Sequence, residues 1–333
     1  MAEQGSLDRP PAQGSYIRLP DSFGRRFTVF CDTEEEFDWA KPRSRDNRST
    51  THMAAMPDLQ ERFRRRGVKC VHLVDHPIAV DGASVTLLRS WLERDEISVG
   101  TQLHPWVNPP HDEEVNTFNS FVGNLPVALE QAKIENLTET IESAFGRRPI
   151  VYRAGRYGVG PNTARLLAQA GYEADVSVRA LHEYVDEGGP DFSRVQPLPF
   201  RVGVGLVELP LSAAYVGRLR TWGRGVYRAA GRIPRGRGIL FRTGLLNRVP
   251  LTPEGVPLNE ALDAARALID DGLQWFSLSF HSPSVEPGHT PFVRTAEDLR
   301  TFHAWWDGMF DFFERRGITP ASIEETVAAA KAA

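Results

Sequence analysis

Between Phe27 and Trp39 the sequence FTVFCDTEEEFDW sets five carboxylates, Asp32, Glu34, Glu35, Glu36 and Asp38, directly after four apolar or β-branched residues. Phe27, Thr28, Val29 and Phe30 read as a short buried strand. Carboxylates fixed at the end of such a strand meet a substrate or a metal rigidly, and their mutual repulsion requires a cation or a proton to offset it. Taken alone, the cluster also fits a polar loop leaving a strand. Position decides between the two. His76, His104, Arg153 and His281 each follow an apolar run as well. In parallel α/β folds the active site lies at the carboxyl ends of the strands, so parallel strands around a barrel would bring all of these groups to one mouth.

The elements that must position them alternate strand and helix. A helical pattern over about 53–66 stops at Gly67, and the strand Val68–Val74 closes on Asp75 and His76. A helix over about 84–94 leads to the strand Ile97–Leu103, which closes on His104. A long helix over about 125–145 ends at Gly146, and Ile150–Tyr152 closes on Arg153. Pro161 suits a first helical turn, and Gly171 stops that helix before a strand over 172–177. The repeated βα unit predicts parallel strands with helices outside.

At 333 residues, 41% hydrophobic and 25% charged, the chain can bury a large core. A net charge of -4 argues against nucleic acid as the main partner. Cys31 and Cys70 sit in apolar runs and are too few for a disulfide framework, which points to buried free thiols in a reducing compartment. Residues 1–24 lack the apolar core of a signal peptide and no run approaches a membrane span, so a cytoplasmic protein with a flexible tail over 1–24 and one domain over 25–325 is expected.

The order of these features resembles the polysaccharide deacetylase family, the NodB-homology domain of carbohydrate esterases. The resemblance is nearest to its WalW-type branch. It is carried by EEEFDW at 34–39, LHPWVNPP at 103–110, YRAGRYG at 152–158, GGPDFSR at 188–194 and SFHSPSVEPGHTPFV at 279–293. It covers roughly residues 27–320 and implies a distorted (β/α)7-8 barrel that hydrolyses an N-acetyl or other carbon–nitrogen bond of a carbohydrate. By that resemblance Glu34 is the general base, with Asp32 on the same strand face. Arg153 orients the base, the Tyr157 backbone amide helps hold the oxyanion, and His281 protonates the leaving group. A divalent metal, zinc first, would rest on Glu35 and His104. The family's other histidine falls on Gly100, which offers no side chain, under one alignment and on Gln102 under another; Gln102, whose amide oxygen is a poorer zinc ligand than imidazole, or water would then take the third place. His76 is a further candidate for that place or for substrate contact.

Trp39 and Trp106, beside the acids and His104, are candidates for stacking on a sugar ring. Residues 215–250 hold nine arginines and no acid, which reads first as a solvated basic insertion and second as a lid or an anion-attracting surface. Phe302, Trp305, Trp306, Met309, Phe310 and Phe313 follow helical spacing and read as core. The expected substrate is a carbohydrate or small amide, with no organic cofactor. A metal-free amide or cyclic-imide hydrolase, and a catalytically silent carbohydrate-binding or regulatory protein, are the alternatives on the same fold.

Overall fold

The computed structural model describes residues 6–333. Its strands are β1 (Arg26–Thr33), β2 (Cys70–Val74), β3 (Ile97–Leu103), β4 (Val151–Ala154), β5 (Ala174–Asp175), β6 (Phe200–Gly203), β7 (Leu206–Glu208), β8 (Ala213–Val216), β9 (Asn247–Pro250), β10 (Trp275–His281) and β11 (Thr319–Pro320). The helices are α1 (Met56–Arg65), α2 (His76–Val80), α3 (Gly82–Glu93), α4 (Val127–Phe145), α5 (Thr163–Ala170), α6 (Gly223–Gly231), α7 (Gly236–Arg242), α8 (Leu258–Asp270), α9 (Ala296–Arg315) and α10 (Ile323–Ala332).

One curled sheet carries the fold, in the order β10-β1-β2-β3-β4-β5-β7-β6, with β11 beside β1. The strands from β10 to β7 run parallel and β6 turns back antiparallel. Parallel strands covered on both faces need apolar residues on both, and every residue of β2 is buried. The expected barrel is therefore a mixed α/β half-barrel whose ladder does not close. Residues 211 and 212, which follow β7, instead link the segment after β5 to β10 across the open side. Leu211 N–H donates to Val178 O at 2.8 Å, and Ser212 and Ser277 exchange two amide-to-hydroxyl bonds of 2.9 and 3.0 Å.

Local chemistry explains the helix limits. α9 and α10 start with capping boxes, Thr295 with Asp298 and Ser322 with Glu325, and α4 ends at Gly146 in the left-handed region. α5 begins two residues after Pro161, where the Thr163 hydroxyl takes the Gly160 N–H. The aromatic face of α9 packs on β1 and β10, and Trp306 meets Phe63 edge-on at 5.0 Å. It is core, as its spacing predicts.

The expected loose tail over 1–24 is corrected for its described part. Leu7, Ile17 and Leu19 are buried, and Ile17 N–H donates to Pro199 O at 2.8 Å beside β6. Three apolar residues in a proline-rich context are enough to pin the segment to a sheet edge; residues 1–5 of that expectation lie outside the described residues. The strand expected over 172–177 shortens to Ala174–Asp175, and of the antiparallel strands only β6 alternates buried and exposed residues, over four positions, while β7, β8 and β9 carry no clear alternation. The arginine-rich stretch forms α6 and α7 between β8 and β9, with Trp222, Ile233, Ile239 and Phe241 exposed. Cys31 and Cys70 are buried free thiols. Among the described residues no helix is long and apolar enough to cross a membrane.

Candidate active site

The strand ends put their polar side chains around one cavity of about 250 Å³. Asp32, Glu34, Gln102, His104, Trp106, Arg153, Tyr157, His281 and Trp39 line it. The parallel register explains the convergence: Asp32 lies opposite His281 across β1–β10, and Gln102 opposite Arg153 across β3–β4.

Arg153 pairs with Asp32, not with Glu34 as the resemblance implies. Its Nη1 donates to Asp32 Oδ1, its Nε to Val176 O at 3.1 Å, and its guanidinium lies over the Phe30 ring at 5.3 Å. Both partners are buried. Period two puts Asp32 and Glu34 on one face only while the strand lasts. β1 ends at Thr33, and Glu34 turns toward β3. There Gln102 Nε2 donates to Glu34 Oε2 at 2.9 Å, and Glu34 Oε1 has no partner. Burial pushes the Glu34 carboxyl up to about 8.

The other oxygen of Asp32 faces His281 Nε2 at 3.6 Å. His281 Nδ1 meets Glu254 Oε2 at 2.6 Å, while Glu254 Oε1 accepts the His281 N–H at 3.1 Å and the Ser284 hydroxyl at 2.6 Å. Burial works against the imidazolium, but the Glu254, Glu34 and Asp32 carboxylates outweigh it and raise His281 to about 10. Glu254 is the residue that sequence reading missed. It follows β9 (Asn247–Pro250) in the turn Thr252-Pro253-Glu254-Gly255, and because β9 pairs antiparallel with β8 outside the parallel sheet, the strand-end rule does not reach it.

Glu35 is buried behind the cavity wall. Its Oε1 accepts Trp106 Nε1–H at 2.7 Å and its Oε2 meets His104 Nδ1 at 2.7 Å, so both oxygens expected on a metal are engaged by N–H donors. Glu35 N–H in turn donates to Asp75 Oδ2 at 2.8 Å, and Asp75 Oδ1 caps α2. A carboxylate on Nδ1 fixes the His104 tautomer and turns the Nε2 lone pair toward Gln102 and Glu34. Gly155 permits this placement, because a Cβ there would stand 2.3 Å from His104 Cδ2.

Gly100 is excluded as a ligand position. A Cβ on it would collide with Val151 Cγ1 at 2.4 Å, in packed core, whereas Gln102 lines the cavity. His76 is also corrected: it opens α2 outside the cavity, among His111, Arg48 and Lys133. Trp106 stacks on His104 at 4.4 Å and carries Arg43 at 5.3 Å from its ring, so it is wall rather than an open sugar platform. Trp39 is 38% exposed and meets His281 edge-on at 5.1 Å. Arg156 and Tyr157 both take positive φ, of 56° and 61°, a strained pair at the cavity wall.

Among the described residues, two groups of three side chains bring potential ligand atoms within 4.8 Å of one another: Asp32, Glu34 and His281, and Glu35, Asp75 and His104. In the second, every carboxylate oxygen is already taken by an N–H. In the first, Asp32 is held by Arg153 and His281 by Glu254. The atoms that fit a cation lie between the groups. They are the unpartnered Glu34 Oε1, the unpartnered Gln102 Oε1 and the His104 Nε2 lone pair, which takes the Gln102 Nε2–H at 3.1 Å and would have to exchange that bond for the ion. That is two strong donors and an amide oxygen, a weaker set than three charged or imidazole ligands.

Ser282, His52 and Glu36 are spaced like a nucleophilic triad, at 2.8 Å from Ser282 Oγ to His52 Nε2 and 3.0 Å from His52 Nδ1 to Glu36. Ser282 and His52 are fully buried, and the Ser282 hydroxyl accepts the Glu34 N–H. The relay ties the end of β1 to the end of β10 and positions Glu34.

No family model and no curated protein matches the chain. Among solved structures it is similar to Puue allantoinase, at 12% identity and a TM-score of 0.54, over 96% of this chain and 95% of that one. It is also similar to a GH57-type branching enzyme from the archaeon Pyrococcus horikoshii, at 13% identity and a TM-score of 0.50, over 91% and 70% of the two chains. A peptidoglycan deacetylase from Bacillus subtilis matches at 9% identity and a TM-score of 0.43, over 93% and 92%. At such identities the likeness shows the fold alone.

Proposed function

We propose that the chain is a hydrolase of carbon–nitrogen bonds of the polysaccharide deacetylase kind, nearest its WalW-type branch, in which Asp32 is the general base and His281 the general acid. The observation that carries this is the facing of Asp32 Oδ2 and His281 Nε2 at 3.6 Å in the cavity, each backed by a buried opposite charge, Arg153 and Glu254. Asp32 takes the proton of a water that attacks the amide carbonyl. His281 Nε2–H gives its proton to the departing nitrogen, which makes it a neutral amine. Tyr157, beside Arg153 in the wall, supplies the backbone amide for the oxyanion. Glu34, His104 and Gln102 would hold a divalent ion, which when bound supplies Lewis-acid polarisation of the carbonyl. A cavity of about 250 Å³ suits one acetamido group or a small cyclic amide better than a length of polymer.

The test is amine release from N-acetylated sugars and small cyclic amides, measured with and without added zinc. Release from either class supports the proposal. No release from either, with or without metal, by protein that unfolds cooperatively, sinks it in favour of a silent binding protein.

Glu254 separates the acid's role from mere packing. If Glu254 holds the His281 proton, Glu254→Gln lowers the His281 pKa toward its ordinary 6.5. The alkaline limb of kcat/KM should then move down by about 1–2 pH units. An unmoved limb with a lower rate would leave Glu254 a packing residue. The same shift sets a stability window. The folded state binds this proton more tightly than the unfolded chain, so the contribution is complete below about 6.5 and is lost as pH rises through about 10.

A further inference from the structure

Resting on the hydrolase reading above for the role of the bound molecule, we infer that the substrate amide also bears a carboxylate, received by Arg43 and Arg179 in the cavity wall. Four guanidinium groups line the cavity: Arg43, Arg153, Arg156 and Arg179. Arg153 pairs with Asp32 and Arg156 with Glu187. Arg43 and Arg179 form no ion pair with any described residue.

Arg43 rests on the Trp106 ring at 5.3 Å, and its Nε is buried without a partner. The acids within electrostatic range of it are Glu187, Glu35 and Glu34. Glu187 is taken by Arg156, Glu35 by His104 and Trp106, and Glu34 accepts from Gln102. Arg179 lies over the Tyr157 ring at 5.4 Å and makes one long bond, 3.4 Å, to the Tyr184 hydroxyl. The carboxylate nearest in effect is Glu254, which belongs to His281.

Once the pairs Asp32–Arg153, Glu187–Arg156 and Glu254–His281 are closed, two positive charges stay uncompensated in the wall. The remaining acid, Glu34, accepts from Gln102 and forms no ion pair with either arginine. A partly desolvated cation without a counterion is costly, and the cost is recovered when an anion enters. Guanidinium favours a planar anion, because its fork of N–H donors matches a carboxylate with two parallel bonds. The aromatic faces of Trp106 and Tyr157 hold both forks in place before binding. Such a site discriminates strongly, since an isostere lacking the charge leaves both arginines unpaired.

The test is calorimetric titration of the full-length protein with N-acetylglycine and with N-acetylglycinamide, which share the acetamide and differ in the charge of the carboxyl end. N-acetylglycine is expected to bind at least tenfold more tightly, about 1.4 kcal/mol. In Arg43→Gln, and in Arg179→Gln, that ratio should fall below about threefold. Arg43 lies in a loop, so Arg43→Gln decides the matter if the Arg179 variant does not fold. Equal affinity for the two probes, no binding of either, or a ratio unchanged in the folded variants overturns the inference. Amine release keeps the two readings apart. A carboxylate preference without hydrolysis leaves the arginine site standing and removes the hydrolase, and hydrolysis without the preference does the reverse.

Discussion

Asp32→Asn is expected to lower kcat by about 10²–10⁴-fold, the usual worth of a general base. Asparagine keeps the shape and an oxygen toward Arg153 but cannot accept the proton of water. The loss should be read at a temperature well below the unfolding transition of both proteins, because Arg153 is left without its counterion. Glu34→Gln provides the comparison. Its carboxyl is raised to about 8 by burial and already accepts from Gln102, so the amide should cost less than Asp32→Asn at neutral pH without added metal. If Asp32→Asn stays within tenfold of the parent while Glu34→Gln collapses, the base is Glu34 and the role assigned to Asp32 is wrong.

Arg153→Met should be the most destabilising single change in the site, by about 3–5 kcal/mol in urea unfolding at pH 7. Asp32 and Arg153 are both almost wholly buried, so removing the guanidinium strands a carboxylate in low dielectric. The Val176 carbonyl also loses its donor. Arg153→Lys keeps the charge but not the fork, and should recover part of the stability and little of the activity. The double change Asp32→Leu with Arg153→Met removes both charges and should be more stable than Arg153→Met alone. If Arg153→Met costs less than about 1 kcal/mol, the pair is not the buried counterion couple described here.

Much of the site was legible because parallel strands impose one rule on distant segments. A polar residue closing an apolar run faces the same mouth, and His104, Arg153 and His281 were found that way. The rule fails where a strand stops being a strand. Period two linked Asp32 to Glu34, but β1 ends at Thr33, and the arginine went to the residue still in register. It fails again where polar groups satisfy each other first. Glu35 has the right position for a metal ligand, yet Trp106 and His104 occupy its oxygens. Whether Gly100 or Gln102 faced the cavity depended on Val151 packing against β3, which one sequence cannot show. In the same way the apolar Leu7, Ile17 and Leu19 gave no sign of their seat beside β6, because only the folded sheet has that edge.

The pairing of β1 with β10 has a consequence for how the protein comes into being. It joins residues roughly 250 positions apart, and contacts of such sequence separation form late, since a long loop must close before they repay its entropy. A nascent chain leaving the ribosome holds Asp32, Arg153 and the cavity's arginines well before it holds Glu254 or His281. On the proposed mechanism the proton acceptor, Asp32, is therefore made roughly 250 positions before the proton donor, His281. Turnover by that mechanism would require β10 to close on β1, and a chain in which that pair has not formed would have no means of cutting what it binds.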